Sequence, residues 1–215
     1  MLKAVLFDLD GVLVDSEEYS SKTADMVYGS YGMKQTPQEK ANVFGRKSID
    51  NYRAAIKARG LDIDPYILVE KHVELFKKLI RGKLKPLPGA VKLIDCLKEA
   101  KVKVAVVSSS PRERVKATLA EVKLLDRFDI IISGDDCEKG KPDPQPYLLA
   151  AERLKVRPED CVVIEDAQAG VESGKAANMK VIAVRSPNTH GQDLSKADKT
   201  VDSLEDVTVS MLRTN

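Results

Sequence analysis

The chain has no tryptophan, two histidines and three cysteines in 215 residues, and aromatic side chains make up only 5% of it. Cys96, Cys137 and Cys161 lie far apart, with no Cys-x-x-Cys spacing and no histidine beside them. That excludes a disulfide framework or zinc ribbon and suits a reducing compartment. His72 and His190 belong to no motif, so a serine or cysteine nucleophile with a histidine base has no constellation to support it. Both are read as ordinary surface or helix residues. Charge of one sign is also missing: 35 Lys plus Arg against 33 Asp plus Glu leave +2, which argues against a nucleic-acid partner recognised by bulk charge. No apolar run approaches the ~20 residues of a membrane span, and the first one meets Asp8 too early for a signal-peptide core. A soluble, cytoplasmic chain is expected, with neither nucleic acid nor membrane as partner and with a monomer compatible with its composition.

What is present is a core-forming pattern. Five short apolar runs, rich in β-branched residues, span 3–7, 102–107, 128–132, 161–164 and 180–184. Their apolar character is continuous rather than alternating, as in strands buried on both faces of a parallel sheet. Helical patterns separate the last four, which predicts an α/β fold, a Rossmann-like parallel sheet flanked by helices. Pro88 opens one such helix with Val91, Ile94 and Leu97 on one face; Ser110-Pro111-Arg112-Glu113 reads as a helix cap, with Ser110 capping; Asp143-Pro144 repeats that signal. Gly170 and Gly174, four apart on a later helix, predict close packing against the sheet.

Residues 16–84 interrupt the alternation with helical stretches only: 17–31, 48–59, and one opened by Asp64-Pro65 with a stripe of Val69, Val73, Phe76 and Ile80. The chain is therefore divided into an α/β core, 1–15 and 85–215, and a helical cap, 16–84, inserted after the first strand. The cap holds 13 Lys plus Arg and 9 Asp plus Glu, a net +4, which leaves 22 against 24, a net −2, for the core. A basic cap over an acidic core suits an anionic substrate.

The acids of that core sit where strands end. Asp8 follows Val5-Leu6-Phe7 directly and Asp10 comes two residues later; in extended backbone both project to one side, and Gly11 permits a tight turn. Two carboxylates at one mouth of a sheet repel unless a cation or a proton lies between them. Glu165-Asp166 ends the run Val162-Val163-Ile164 and Ser108 ends Val104–Val107. Ligands of open parallel sheets bind outside such carboxyl ends, and an oxygen-only donor set favours Mg²⁺ over zinc. Lys141, in Gly140-Lys141-Pro142-Asp143-Pro144, is placed to reach the same crevice as a phosphate ligand and counter-ion to Asp8.

Asp8-Leu9-Asp10-Gly11-Val12, Ser108, Gly-Lys-Pro-Asp-Pro around Lys141, and Glu165-Asp166-Ala167-Gln168-Ala169-Gly170 occur together and in order. In this the chain resembles the haloacid dehalogenase superfamily over its whole length, in particular the members with an α-helical cap, among them sugar-phosphate phosphatases and β-phosphoglucomutase. The resemblance implies a phosphatase acting on a small phosphorylated metabolite. Asp8 is then the nucleophile that carries an aspartyl phosphate, and Asp10 the general acid and base. Mg²⁺ is held by Asp8, the Asp10 carbonyl and Asp166, with Glu165 nearby. Ser108 and Ser109, Lys141 and neighbouring backbone N–H groups hold the phosphate oxygens, and Arg46 and Lys47 of the cap are expected to contact the substrate.

Three other activities compete with this one. A mutase of the β-phosphoglucomutase kind resembles the chain closely, but Ser20 stands where that enzyme has a histidine, and its sugar-phosphate-binding arginine has no clear counterpart in Gly45-Arg46-Lys47-Ser48. A phospho-accepting signalling domain also uses an aspartate, Mg²⁺, a hydroxyl and a lysine, yet Asp10 promotes turnover rather than storage. A dehalogenase has no use for Asp10 and an acidic metal site.

Overall fold

The computed structural model describes residues 1–42, 45–185 and 191–213; His190 lies outside them. Six strands form one parallel sheet in the order β3-β2-β1-β4-β5-β6: β1 Ala4–Phe7, β2 Lys103–Val107, β3 Ile130–Ile132, β4 Cys161–Glu165, β5 Lys180–Val184 and β6 Lys199–Val201. The five apolar runs are the first five strands. In β1 the side chains alternate between two cores. Val5 and Phe7 join the helices α5 Ala90–Glu99 and α6 Arg112–Glu121, while Ala4 and Leu6 join α7 Gln145–Leu154 and, through Val171, α8 Gln168–Ala176. Each of these side chains, fully buried, contributes on the order of 1.5–3 kcal/mol for the larger ones, and continuous apolar sequence follows from having a core on both faces.

Four helices lie between β1 and α5: α1 Glu17–Gly29, α2 Pro37–Asn42, α3 Ser48–Ala58 and α4 Pro65–Ile80. They enclose a small apolar cluster of their own around Val27, Tyr28, Tyr52, Ile56 and Leu68. Phe76 and Ile80 of α4 instead join the sheet's core beside Leu9, Val12 and Leu13, which fixes the insert to the strand-end loop it follows. Asp64 caps α4 as its sequence predicts, accepting from the Tyr66 N–H at 3.0 Å.

Several local readings need correction. Helix α6 begins at Arg112, with Pro111 rather than Ser110 at its cap position, and no side chain of its own caps it, since the Ser110 hydroxyl donates to Asp10 and its N–H to Ser108 Oγ. Val91 faces outward, and the buried face of α5 is Ala90, Leu93, Ile94 and Leu97. Strand β6 is a sixth that the apolar runs do not announce. Gly174 does pack against Val163 and Val181 of the sheet, whereas a Cβ at Gly170 would overlap the Glu165 carboxylate. The second glycine makes room for a buried charge.

Candidate active site

Register sets the site. Phe7 pairs with Val106 on one side and Ile164 on the other, so the residues that follow, Asp8, Ser108 and Glu165-Asp166, emerge together at the carboxyl edge. The Asp8 N–H continues the ladder to the Ile164 carbonyl at 2.9 Å, and the Ser108 N–H to that of Ile132 at 2.9 Å. Both side chains are buried, and their backbones are held by the sheet itself.

Lys141 reaches this edge from the loop before α7. Its buried ammonium donates to Asp8 Oδ1 at 2.5 Å, to Glu165 Oε1 at 2.6 Å and to the Val107 carbonyl at 2.9 Å. All three of its donors are used. Tyr147 lies beneath it, with its ring centre 5.0 Å from Nζ and its hydroxyl donating to Glu165 Oε1 at 2.9 Å. Glu165 Oε2 accepts the N–H groups of Asp166 and Ala167 at 3.0 and 3.1 Å. Four donors therefore converge on Glu165, whose position near the metal was expected from the resemblance; its oxygens are committed to Lys141, Tyr147 and the backbone, and it serves to hold Lys141 in place.

Asp10 is held by a different set. Its Oδ1 accepts from the Ser16 hydroxyl and from Arg114 Nη2, the latter at 3.0 Å, and its Oδ2 accepts from Ser110 Oγ at 3.2 Å. Ser110 in turn accepts from Arg114 Nη1 at 2.6 Å. Ser110 thus belongs to the site rather than to a helix cap. Gly11 is required twice over: its φ is +86°, and a Cβ there would overlap the Asp166 carboxylate.

Oxygens of Asp8, Glu165 and Asp166 lie within 4.8 Å of one another. Burial pushes Asp8 up to about 7 against the pull of Lys141, with Glu165 and Asp10 adding to the rise. Asp166 is driven well above the usual carboxylate range by burial, then by Glu165 and Asp8. One lysine among these acids leaves negative charge unbalanced, and the donors are all oxygen. That set fits a hard divalent cation.

Above the acids is a cavity of about 650 Å³ lined from the core by Asp8, Asp10, Ser108, Arg114 and Asp166 and from the insert by Glu17, Ser20, Arg46, Tyr52 and His72, among others. Of the expected substrate contacts, Ser108 and Arg46 line it. Lys141 reaches it only through Asp8. Ser109 also lines it, yet its hydroxyl donates to the Gly45 carbonyl at 2.7 Å. Lys47 does not line it; its ammonium donates to the Cys137 carbonyl at 2.7 Å. Ser109 and Lys47 fasten the insert's loop to the core, because each finds a carbonyl there.

Arg114, His72, Glu17 and Tyr52 line the cavity as well, although no motif in the sequence marks them. Arg114 is buried on the inner face of α6 with Val115 and Thr118, its guanidinium 4.4 Å from the Phe76 ring centre. An arginine in a row of buried helix positions is the signal that marks it. His72 is 5% exposed, not a surface residue, and occupies the i, i+4 row Leu68, His72, Phe76, Ile80. Glu17 opens α1, and burial, with Asp10 and Asp15 adding, raises it to about 7 in spite of Arg114.

Comparison with known proteins agrees with this architecture. The family model described as haloacid dehalogenase-like hydrolase matches residues 5–184. The phosphorylated carbohydrates phosphatase of Thermotoga maritima is 34% identical over 84% of each chain. Hexitol phosphatase A of Escherichia coli is 34% identical over 97% of this chain and 94% of its own. The β-phosphoglucomutase of Bacillus subtilis is 31% identical over 98% and 94%. CbbY of Rhodobacter sphaeroides, solved with phosphate, superposes with a TM-score of 0.90 over 99% of each chain at 25% identity. Among the described residues no helix is long and apolar enough to cross a membrane. A buried aspartate, lysine and acid pair at one sheet edge beneath a helical insert, together with these matches, establish that the chain belongs to the haloacid dehalogenase-like hydrolase family.

Proposed function

We propose that the chain is a Mg²⁺-dependent phosphatase that hydrolyses a small phosphorylated sugar or polyol, with residues 16–84 acting as a cap over a core of 1–15 and 85–215. The observation that carries this reading is the pairing of Asp8, held on Lys141 at 2.5 Å, with Asp10, held separately by Ser16, Ser110 and Arg114. The two carboxylates have different partners and so can take different roles.

Asp8 attacks phosphorus, and the bond to the leaving oxygen breaks as the aspartyl phosphate forms. Asp10 gives its proton to that oxygen, then takes one from the water that cleaves the acyl phosphate, so inorganic phosphate leaves and both acids return to their starting state. Lys141 offsets the charge gathering around Asp8, while the Ser108 hydroxyl and the N–H groups after Asp8 and Ser108 hold the oxygens that are not transferred. Asp8, the Asp10 carbonyl and Asp166 would hold Mg²⁺, which would supply neutralising charge between nucleophile and phosphate. Arg46, which lines the cavity with no polar partner among the described residues, is free to meet the substrate.

The test is phosphate release from a panel of sugar, polyol, nucleotide and glycolate phosphates with Mg²⁺ present or chelated. Release from the sugar and polyol members, lost on chelation and in Asp8→Asn, is expected. Conversion of β-glucose 1-phosphate to glucose 6-phosphate without release would instead select the mutase, which Ser20 at the cavity wall disfavours.

A further inference from the structure

Two residues that line this cavity carry a buried polar atom without a hydrogen-bond partner among the described residues, Arg114 at Nε and His72 at Nε2, and the ring of His72 is the neutral one. His72 is 5% exposed and its Nδ1 lies 2.8 Å from the Tyr52 hydroxyl, but Nε2 has no hydrogen-bond partner among the described residues. His72 is among the residues lining the cavity, and leaving a buried polar atom unpaired costs about 1–3 kcal/mol, so a ligand group that pairs with Nε2 recovers that cost. Phe76 stacks on the ring from one turn along α4, with centroids 6.3 Å apart, and Tyr52 meets it edge-on at 6.1 Å. The imidazole is held rigidly before any ligand arrives.

The ligand's chemistry follows from the surroundings. Burial, and after it the charge of Arg114, lower the pKa of His72 to about 3, so the ring is neutral. With the Tyr52 hydroxyl donating to Nδ1, Nε2 carries the hydrogen; with the other tautomer, Nε2 offers a lone pair. A hydroxyl satisfies either case, because it both donates and accepts. Ser20, Ser21, Asn51 and Tyr52 also line the cavity, and all are neutral groups of the same two-way kind; Lys22, Lys40, Arg46 and Arg114 line it as well.

We infer that His72 Nε2, braced by Tyr52, is a specificity-determining contact that binds a hydroxyl on the carbon chain of the leaving group. Resting on the phosphatase reading, this favours a substrate whose leaving group carries hydroxyls over a simple alkyl phosphate.

The experiment reads binding without turnover. In an Asp8→Asn background with Mg²⁺, calorimetry compares hexyl phosphate with sorbitol 6-phosphate or fructose 1-phosphate, whichever of the two binds more tightly. Removing the contact with His72→Leu is expected to weaken the polyhydroxylated ligand about 5- to 10-fold, the scale of one hydrogen bond, and to leave hexyl phosphate unchanged. His72→Gln, whose amide nitrogen lies near the Nε2 position, restores most of the loss. The ¹⁵N signal of His72 Nε2 should shift with the polyhydroxylated ligand and not with hexyl phosphate, which a purely structural histidine would not do and which needs no substitution at His72. Equal weakening of both ligands, no weakening, no binding by either hydroxylated ligand, or an unmoved Nε2 signal overturns the inference. Failure of the unmutated chain to release phosphate from p-nitrophenyl phosphate strikes the hydrolase reading and leaves the binding difference intact.

Discussion

Nη2 of Arg114 lies 3.0 Å from Oδ1 of Asp10, and the same guanidinium sits 4.4 Å from the centre of the Phe76 ring. One side chain therefore touches both the proposed acid and the insert's longest helix. Arg114→Met keeps the apolar stem against Phe76 while releasing Asp10 to Ser16 and Ser110 alone. Displacing a catalytic group by about 1 Å costs on the order of 10²-fold. With an alkyl leaving group kcat should fall by about that much and KM change little; with p-nitrophenyl phosphate, whose leaving group needs no proton, the fall should be under about 10-fold. Equal losses with both substrates would show that Arg114 acts on something other than Asp10.

Glu165 accepts from Lys141, Tyr147 and two backbone N–H groups with no exposure to solvent. Removing it leaves Lys141 its bond to Asp8 but takes the acceptor from the buried Tyr147 hydroxyl and two backbone N–H groups, at about 3–5 kcal/mol. Glu165→Ala should therefore lower the melting temperature by roughly 6–20 °C in a domain of this size, measured in chelator so that metal plays no part. An unchanged melting point would mean that the carboxylate does not organise the site.

The two acids at this strand end show what a sequence can and cannot tell. Asp8 is legible because it directly follows a continuous apolar run, and Asp166 because it comes one residue after another, with parallel register bringing such ends together. Glu165 is legible as buried but not as to its partner, since Tyr147 comes from a helix eighteen residues earlier. Lys47 shows the same limit on the insert: its charge is plain, its direction toward the Cys137 carbonyl is not. Strand β6 escapes notice because Lys199-Thr200-Val201 pairs on one side only and buries only Val201, so edge position removes the need for an apolar run. An α4 stripe read through Val69 misses His72, because the buried row begins one residue earlier, at Leu68.

Crowding among Asp8, Asp166 and Glu165 makes metal binding a stability measurement. Burial and mutual repulsion raise Asp8 and Asp166, so a cation that binds the folded chain alone should raise its melting temperature. At a hundred times the dissociation constant the gain is about 2.7 kcal/mol, or roughly 5–10 °C. Asp166→Asn should abolish most of the shift produced by Mg²⁺, while Glu17→Gln, outside the cluster, should leave it unchanged. A full shift in Asp166→Asn would remove that residue from the metal site.

His72 and Glu17 make opposite contributions to stability against pH, and the two can be separated. His72 has a folded value near 3, against 6.5 when free. Between these values the unfolded chain binds a proton that the folded chain refuses, so its contribution is complete above about 6.5 and is lost as pH falls. At pH 5 the loss is about 2 kcal/mol. Glu17, raised from 4.5 to about 7 by burial, is disfavoured as a carboxylate in the fold; its contribution declines as pH rises through that interval, and solvent reaching a half-buried side chain reduces it. In denaturant unfolding at pH 5 and pH 7, His72→Leu should therefore shrink the destabilisation at pH 5 relative to pH 7 by about 2 kcal/mol. Glu17→Gln should act oppositely, raising stability at pH 7 more than at pH 5. A histidine exposed to solvent would titrate alike in both states, and its replacement would leave the difference between pH 5 and pH 7 where it was.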